Sequence, residues 1–192
     1  MGQPLLICFE CKFTESGGAC SQTKPLKEGP QQGVVQCDGK YHLQTNPVNR
    51  ISSNCALTGK GILYWDAIPQ VFSLSPQMEY APCPFAGSYF QWMRNLTLCF
   101  GRAKNTVRRP AVIVVYADHP DLDMSRTLAT SRWRAFAETV RGEAITFSAM
   151  SYQTIISVAE AAVAGLPEEL TTWRELRRWV EQKIISLVGG RD

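Results

Sequence analysis

Apolar positions fall into three regimes along this chain: a short run at the start, a long stretch without a sustained period, and a second half in which strand and helix periods alternate. The first run, Leu5-Leu6-Ile7-Cys8-Phe9, is continuously apolar and predicts a buried strand that carries on through Glu10, Cys11 and Lys12. Residues two apart on a strand face the same way, so a carboxylate and an ammonium, Glu10 and Lys12, emerge side by side from the buried edge of a sheet. Residues 13–86 show little periodicity. Ser16 to Gly33 is rich in Gly, Pro, Gln and Ser, and Lys24-Pro25-Leu26-Lys27-Glu28-Gly29-Pro30 reads as connection rather than core. Val34-Val35-Gln36-Cys37 predicts a brief strand or turn, Asp38-Gly39 and Asn46-Pro47 predict turns, and Gly61 to Ile68 predicts a short helix ahead of Pro69.

From Ser88 the pattern is regular. Tyr89, Trp92, Met93, Leu96, Cys99, Phe100 and Ala103 keep helical spacing and predict a helix from Ser88 to Lys104, with Gln91, Arg94, Asn95 and Arg102 along its opposite stripe. Ala111 to Ala117 is β-branched and apolar throughout, as in a strand covered on both faces, and Asp118-His119-Pro120-Asp121 closes it as a turn before a helix. A single helix is expected from Ser125 to Val140, its arginines on a solvated face, then a strand from Ala144 to Met150. Ser151 is placed to cap a helix from Tyr152 to Ala164, ended by Gly165. Pro167 opens the last helix, with Glu168 and Glu169 in its first turn and an apolar stripe of Leu170, Trp173, Leu176, Val180, Ile184 and Leu187 that is expected to pack across the sheet. The order predicts an α/β fold, a short mixed sheet flanked by helices, as one domain over 1–192 with an irregular insert at 13–86 and a helix and strand core at 88–188.

Composition adds limits. With 192 residues, 45% hydrophobic and 19% charged, the chain is able to bury a core of its own. A net charge of +3 permits contact with nucleic acid without demanding it. No apolar run reaches membrane-spanning length and the start lacks the pattern of a secretory signal, so a cytoplasmic protein with no membrane partner is expected. In that setting the seven cysteines suggest thiols or metal ligands rather than disulfides.

Charged side chains on an apolar strand are desolvated, a penalty offset by a bound cation or by mutual neutralisation. A carboxylate that holds Mg²⁺ and a lysine that orients the attacking water are what phosphodiester hydrolysis needs. Glu10-Cys11-Lys12 at a strand end resembles the E-x-K half of the PD-(D/E)XK motif of the restriction-endonuclease-like nuclease superfamily. Its flanks, Phe13-Thr14-Glu15 and Gly17-Gly18-Ala19-Cys20-Ser21, resemble one bacterial branch classed as restriction endonucleases. The resemblance implies a restriction-endonuclease-like core and Mg²⁺-dependent cleavage of nucleic acid, DNA foremost. Glu10 would be a metal ligand, Lys12 would position the water, and Gln91 and Arg94, on the helix after the E-x-K strand, would support the scissile phosphate. In that superfamily a preceding strand supplies a second acid, whereas the nine residues before Glu10 hold neither Asp nor Glu. The expectations are then a fragment lacking the N-terminal part of the fold, a second acid drawn from Glu15, Asp38, Asp66 or Asp118, which the sequence leaves unranked, or an inactive relative that binds DNA or protein.

Cys20, Cys37, Cys55 and Cys83 punctuate the irregular insert at spacings far longer than a C-x₂-C pair. An insert that buries little surface alone is what a metal staple would secure, and Zn²⁺ or an iron–sulfur cluster are the two occupants considered. Some nucleases of the superfamily carry a four-cysteine cluster of the second kind. The alternative is four small buried hydrophobes, and a further functional reading is a metal-stapled structural protein in which Glu10 and Lys12 only pair with each other. Cys8, Cys11 and Cys99 are expected to pack.

Overall fold

Three apolar stretches form one sheet in the order β1-β2-β3, with β1 at Leu5–Lys12, β2 at Arg109–Tyr116 and β3 at Thr146–Ser151. The sheet is parallel rather than mixed, since the segment joining each strand to the next carries helices and is long enough for a crossover. The structure, a computed structural model, describes residues 4–13, 15, 17–20, 27–30, 32–34, 36–46, 48–74, 83, 85, 89–106 and 108–190. Thr14, Ser16, Ser21, Lys24-Pro25-Leu26, Val35, Pro47 and Ser88, which enter the sequence reading, lie outside the described residues. Burial along β1 alternates as a pleated strand requires: Glu10 and Lys12 point inward, while Leu5, Ile7 and Phe9 are exposed. Cys11, expected to pack, is exposed because it shares the face of Ile7 and Phe9.

The chain groups into two compact units. The first comprises Met1–Cys8, Gly17–Val112 and Phe136–Phe147. Its long helix, α4 at Phe90–Lys104, buries Trp92, Met93, Leu96, Cys99 and Ala103, the stripe that the helical spacing specifies. Before it come α1 at Tyr41–Gln44, a 3-10 turn at Asn49–Ser52, α2 at Ala56–Gly59 and α3 at Tyr64–Val71. The insert is therefore partly core. Trp65, Ile68 and Val71 recur every third residue on α3, are buried, and pack against α4, although the stretch is too short to show a period by eye. Pro69 sits inside α3 instead of ending it, so the helix forgoes one hydrogen bond while its apolar face still docks. Buried Gln44 ties the small helices together: its amide nitrogen donates to Ser53, and its amide oxygen accepts from the Thr58 hydroxyl at 2.7 Å.

The second unit comprises Phe9–Ser16, Ile113–Ala135 and Ser148–Asp192. The single helix expected over 125–140 is two, α5 at Asp123–Leu128 and α6 at Ser131–Thr139. Thr130 makes the break, its hydroxyl accepting the Trp133 N–H at 3.1 Å and donating to the Thr127 carbonyl at 2.7 Å, which is how an N-cap starts a new helix. Ser151 caps α7, Tyr152–Ala162, through the Thr154 N–H at 3.0 Å. The final helix α8, Pro167–Val188, runs against α7 and contributes Val180 and Ile184 to a core with Ala117, Leu122 and Ile156. Leu176 of the expected stripe is 40% exposed, so the buried seam is narrower than the sequence pattern.

One ion pair joins the last two helices. The Arg177 guanidinium donates to both carboxylate oxygens of Glu160, at 3.0 and 2.7 Å. These hydrogen bonds hold the Glu160 carboxyl below its usual range. A depressed folded-state value means the contribution is present at neutral pH and is lost as pH falls through the carboxylate range. Glu160→Gln is accordingly expected to lower the urea midpoint at about pH 7 and to leave it unchanged at about pH 2, where the native carboxyl is also neutral. Equal losses at both pH values would show that packing, not charge, is what the side chain contributes.

Candidate functional site

Glu10 and Lys12 meet where β1 ends. The Lys12 ammonium lies 3.4 Å from a Glu10 carboxylate oxygen, and their side chains are only 2% and 7% exposed. Placing a lysine in such a setting is unfavourable without partners, and a second carboxylate, Glu15, accepts its hydrogen bond at 2.9 Å. Glu15 is three residues further on and largely exposed, so one ammonium lies between a buried and a wet carboxylate and the group as a whole is negative. Phe13 fixes the segment between them, its ring 5.5 Å from Tyr152 and 6.0 Å from Trp179. Tyr152 itself is held neutral, burial and a hydrogen bond with Cys11 pushing its phenol up to about 12.

The other acids that the sequence leaves unranked have different duties. Asp118 follows β2, and parallel strands bring their carboxyl ends to one edge of a sheet, where ligands tend to bind. Its carboxylate accepts the Ser125 hydroxyl at 3.3 Å, and Gln153 clamps its backbone from both sides, at 3.1 and 2.9 Å. His119 belongs to the same turn, its Nδ1 accepting the Asp121 N–H at 3.2 Å. Asp38 holds the Lys40 and Asn54 backbone N–H groups at 3.0 and 2.9 Å, and Asp66 pairs with Arg50 at 2.7 Å. Glu15 is the acid found at Lys12. A signal for it was available in the sequence: one short turn after a strand that ends in lysine returns a side chain to the strand's end.

Gln91 and Arg94 lie on α4 in the first unit, whereas Glu10, Lys12 and Glu15 belong to the second. Gln91 grips Gly18 by two hydrogen bonds, its side-chain oxygen accepting the Gly18 N–H at 2.9 Å and its own N–H donating to the Gly18 carbonyl at 3.2 Å. The approach is close enough that a Cβ on Gly18 would stand 3.1 Å from the Gln91 oxygen. Gln91 thus secures the loop that leads to Cys20. Arg94 is half-buried on the same helix.

The four cysteines of the insert come together in the first unit. Cys20, Cys37, Cys55 and Cys83 line one pocket, with Tyr41 and Phe85 among its apolar walls. Cys37 and Cys55 are antiparallel bridge partners, flanked by hydrogen bonds from the Ala56 N–H to the Gln36 carbonyl at 2.8 Å and from the Asp38 N–H to the Asn54 carbonyl at 3.1 Å. Burial raises the Cys83 thiol to about 12, with the charges of Cys37, Cys55 and Cys20 adding to the rise. All seven cysteines are free thiols, and as they stand no three His, Cys, Asp or Glu side chains among the described residues form a group arranged to hold a metal ion. No helix among the described residues is long and apolar enough to cross a membrane. Compared with protein families, curated proteins and solved structures, the chain finds no match.

Proposed function

We propose that the protein hydrolyses phosphodiester bonds of nucleic acid, most directly DNA, with Glu10, Lys12 and Glu15 as its working groups. The observation that carries this reading is the buried lysine between two carboxylates at the end of a strand. A purely structural ion pair gains little from burial, because desolvation offsets most of its attraction, whereas a reactive site gains a low-dielectric surrounding for its charges. Two carboxylates facing one cationic group also suit a hard divalent ion, the ammonium marking where positive charge is favoured. Mg²⁺, held by Glu10 and Glu15, would supply Lewis acidity and a more acidic bound water. Glu10 holds the Lys12 ammonium in place, and Lys12 donates hydrogen bonds to the attacking water or to a phosphate oxygen. The proposal depends on the second unit alone; the phosphate-supporting roles that the resemblance assigns to Gln91 and Arg94 are not needed for it.

The test is cleavage of plasmid DNA and of single-stranded RNA with Mg²⁺ or Mn²⁺, comparing the native chain with Glu10→Gln. Cleavage by the native chain and a loss of at least about a hundredfold in the variant, at unchanged circular dichroism, is expected. Equal cleavage by both, or none by the native chain, would leave the three groups as a structural ion-pair cluster in a non-cutting protein.

A further inference from the structure

The pocket of the first unit has a chemistry of its own. We propose that Cys20, Cys37, Cys55 and Cys83 bind a single tetrahedral thiophilic ion, Zn²⁺, which staples residues 20–83 together. Four cysteine sulfurs are the donor set of a closed structural zinc site, and the Asp38 carboxylate that also lines the pocket is already engaged by the Lys40 and Asn54 N–H groups. The pairing of Cys37 with Cys55 favours one ion. Hydrogen bonds between the residues on either side of the pair, and none within it, define the non-hydrogen-bonded kind of antiparallel pair. Its Cβ atoms stand about 4.5–5.5 Å apart on one face, so the two sulfurs reach the roughly 3.8 Å edge of a tetrahedron with metal–sulfur bonds of about 2.3 Å. An iron–sulfur cubane attaches each thiolate to a different iron and spreads its ligands wider. Turning the chain at the pair is the task of Gly39, whose φ of 75° opens the Asp38-Gly39 turn immediately after Cys37.

The need for a staple is visible in what this segment leaves uncovered. Val34, Val48, Ile51 and Leu63 are exposed by 49%, 79%, 93% and 61%, so the part of the segment ahead of the buried α3 residues Trp65, Ile68 and Val71 leaves much of its apolar surface contributing nothing to holding it. Four separate stretches of backbone would be cross-linked by one ion, and metal binding of this kind is folding energy. The four side chains line the pocket without forming a coordination group, so binding would both remove their protons and require the sulfurs to draw together.

The experiment is elemental analysis of the full chain purified under reducing conditions from zinc-supplemented medium, followed by chelator stripping and titration with Co²⁺ and then Zn²⁺. Close to one zinc per chain, tetrahedral cobalt–thiolate bands that zinc displaces, and a higher melting temperature of the zinc form are expected. Cys11→Ser, which alters an exposed thiol outside the pocket, should retain the metal, while Cys37→Ser and Cys83→Ser should lose it. Uptake by the native chain decides the matter even where a serine variant fails to fold. Iron with acid-labile sulfide, or a folded chain that takes up neither Co²⁺ nor Zn²⁺, would overturn the proposal. Cleavage plays no part in these readouts, so their failure is distinct from failure of the hydrolase reading.

Discussion

Lys12→Ala is expected to destabilise the protein by about 3–5 kcal/mol, the range for breaking a buried ion pair by removing one partner. The substitution leaves the buried Glu10 carboxylate without the ammonium 3.4 Å away and with Glu15 as a like-charged neighbour. Glu10→Gln should be milder, because Lys12 keeps its 2.9 Å hydrogen bond to Glu15 and the amide keeps the shape of the acid. Lys12→Met, which retains much of the apolar stem, should fall between them. Adding Glu10→Gln to Lys12→Met should recover a large share of the loss, since no uncompensated charge is then left inside. Urea unfolding of the four variants measures the order directly. If Lys12→Ala proved as mild as a surface substitution, within about 0.5 kcal/mol, the pair would not be buried as described.

Trp92→Ala is expected to be comparably severe, about 3–5 kcal/mol, for a different reason. Trp92 is wholly buried and lies at the middle of an aromatic group in the first unit, 5.4 Å from Tyr89 and 5.9 Å from Phe136, with Phe136 in turn 6.0 Å from Phe72. Rings in contact on several sides cannot all relax into the space an alanine leaves, so the cavity persists and its walls lose their contacts. Trp92→Phe should forfeit much less, because a ring still fills most of the volume. A loss below about 1 kcal/mol for the alanine variant, read from urea unfolding, would mean that the cluster collapses freely onto the gap.

What the sequence discloses depends on how far a period runs. β1 is legible as a strand because its apolar run is continuous, and the shared face of Glu10 and Lys12 follows from the pleat. The exposure of Leu5, Ile7 and Phe9, where a buried strand is expected, is not legible, because an unbroken apolar run does not show which face the sheet leaves uncovered. α4 is legible because its stripe repeats for four turns, and Ser151 declares itself as a cap. Thr130, by contrast, is hidden inside a stretch that keeps helical spacing on both sides, and nothing but its hydroxyl marks the break between α5 and α6. α3 is foreseen as a short helix over Gly61 to Ile68, but it is too short for Trp65, Ile68 and Val71 to stand out as a buried stripe, so its part in the core is not legible. Glu15 lies beyond the strand, where its direction is set by a turn rather than by a period. The convergence of the four cysteines is a long-range fact: their concentration in a loop-rich insert suggests a shared ligand although their spacing matches no metal motif, and the pairing of Cys37 with Cys55 appears only with the backbone hydrogen bonds around it.

Glu10, Lys12 and Glu15 are proposed as a cation-binding reactive site and not only an ion-pair cluster. Calorimetric titration of the native chain with Mg²⁺ and Mn²⁺, beside Glu10→Gln and Glu15→Gln, tests it most directly. Saturable binding by the native chain that both variants lose is the expected result. Absence of binding in the folded native chain, or binding that Glu10→Gln leaves unchanged, would contradict it.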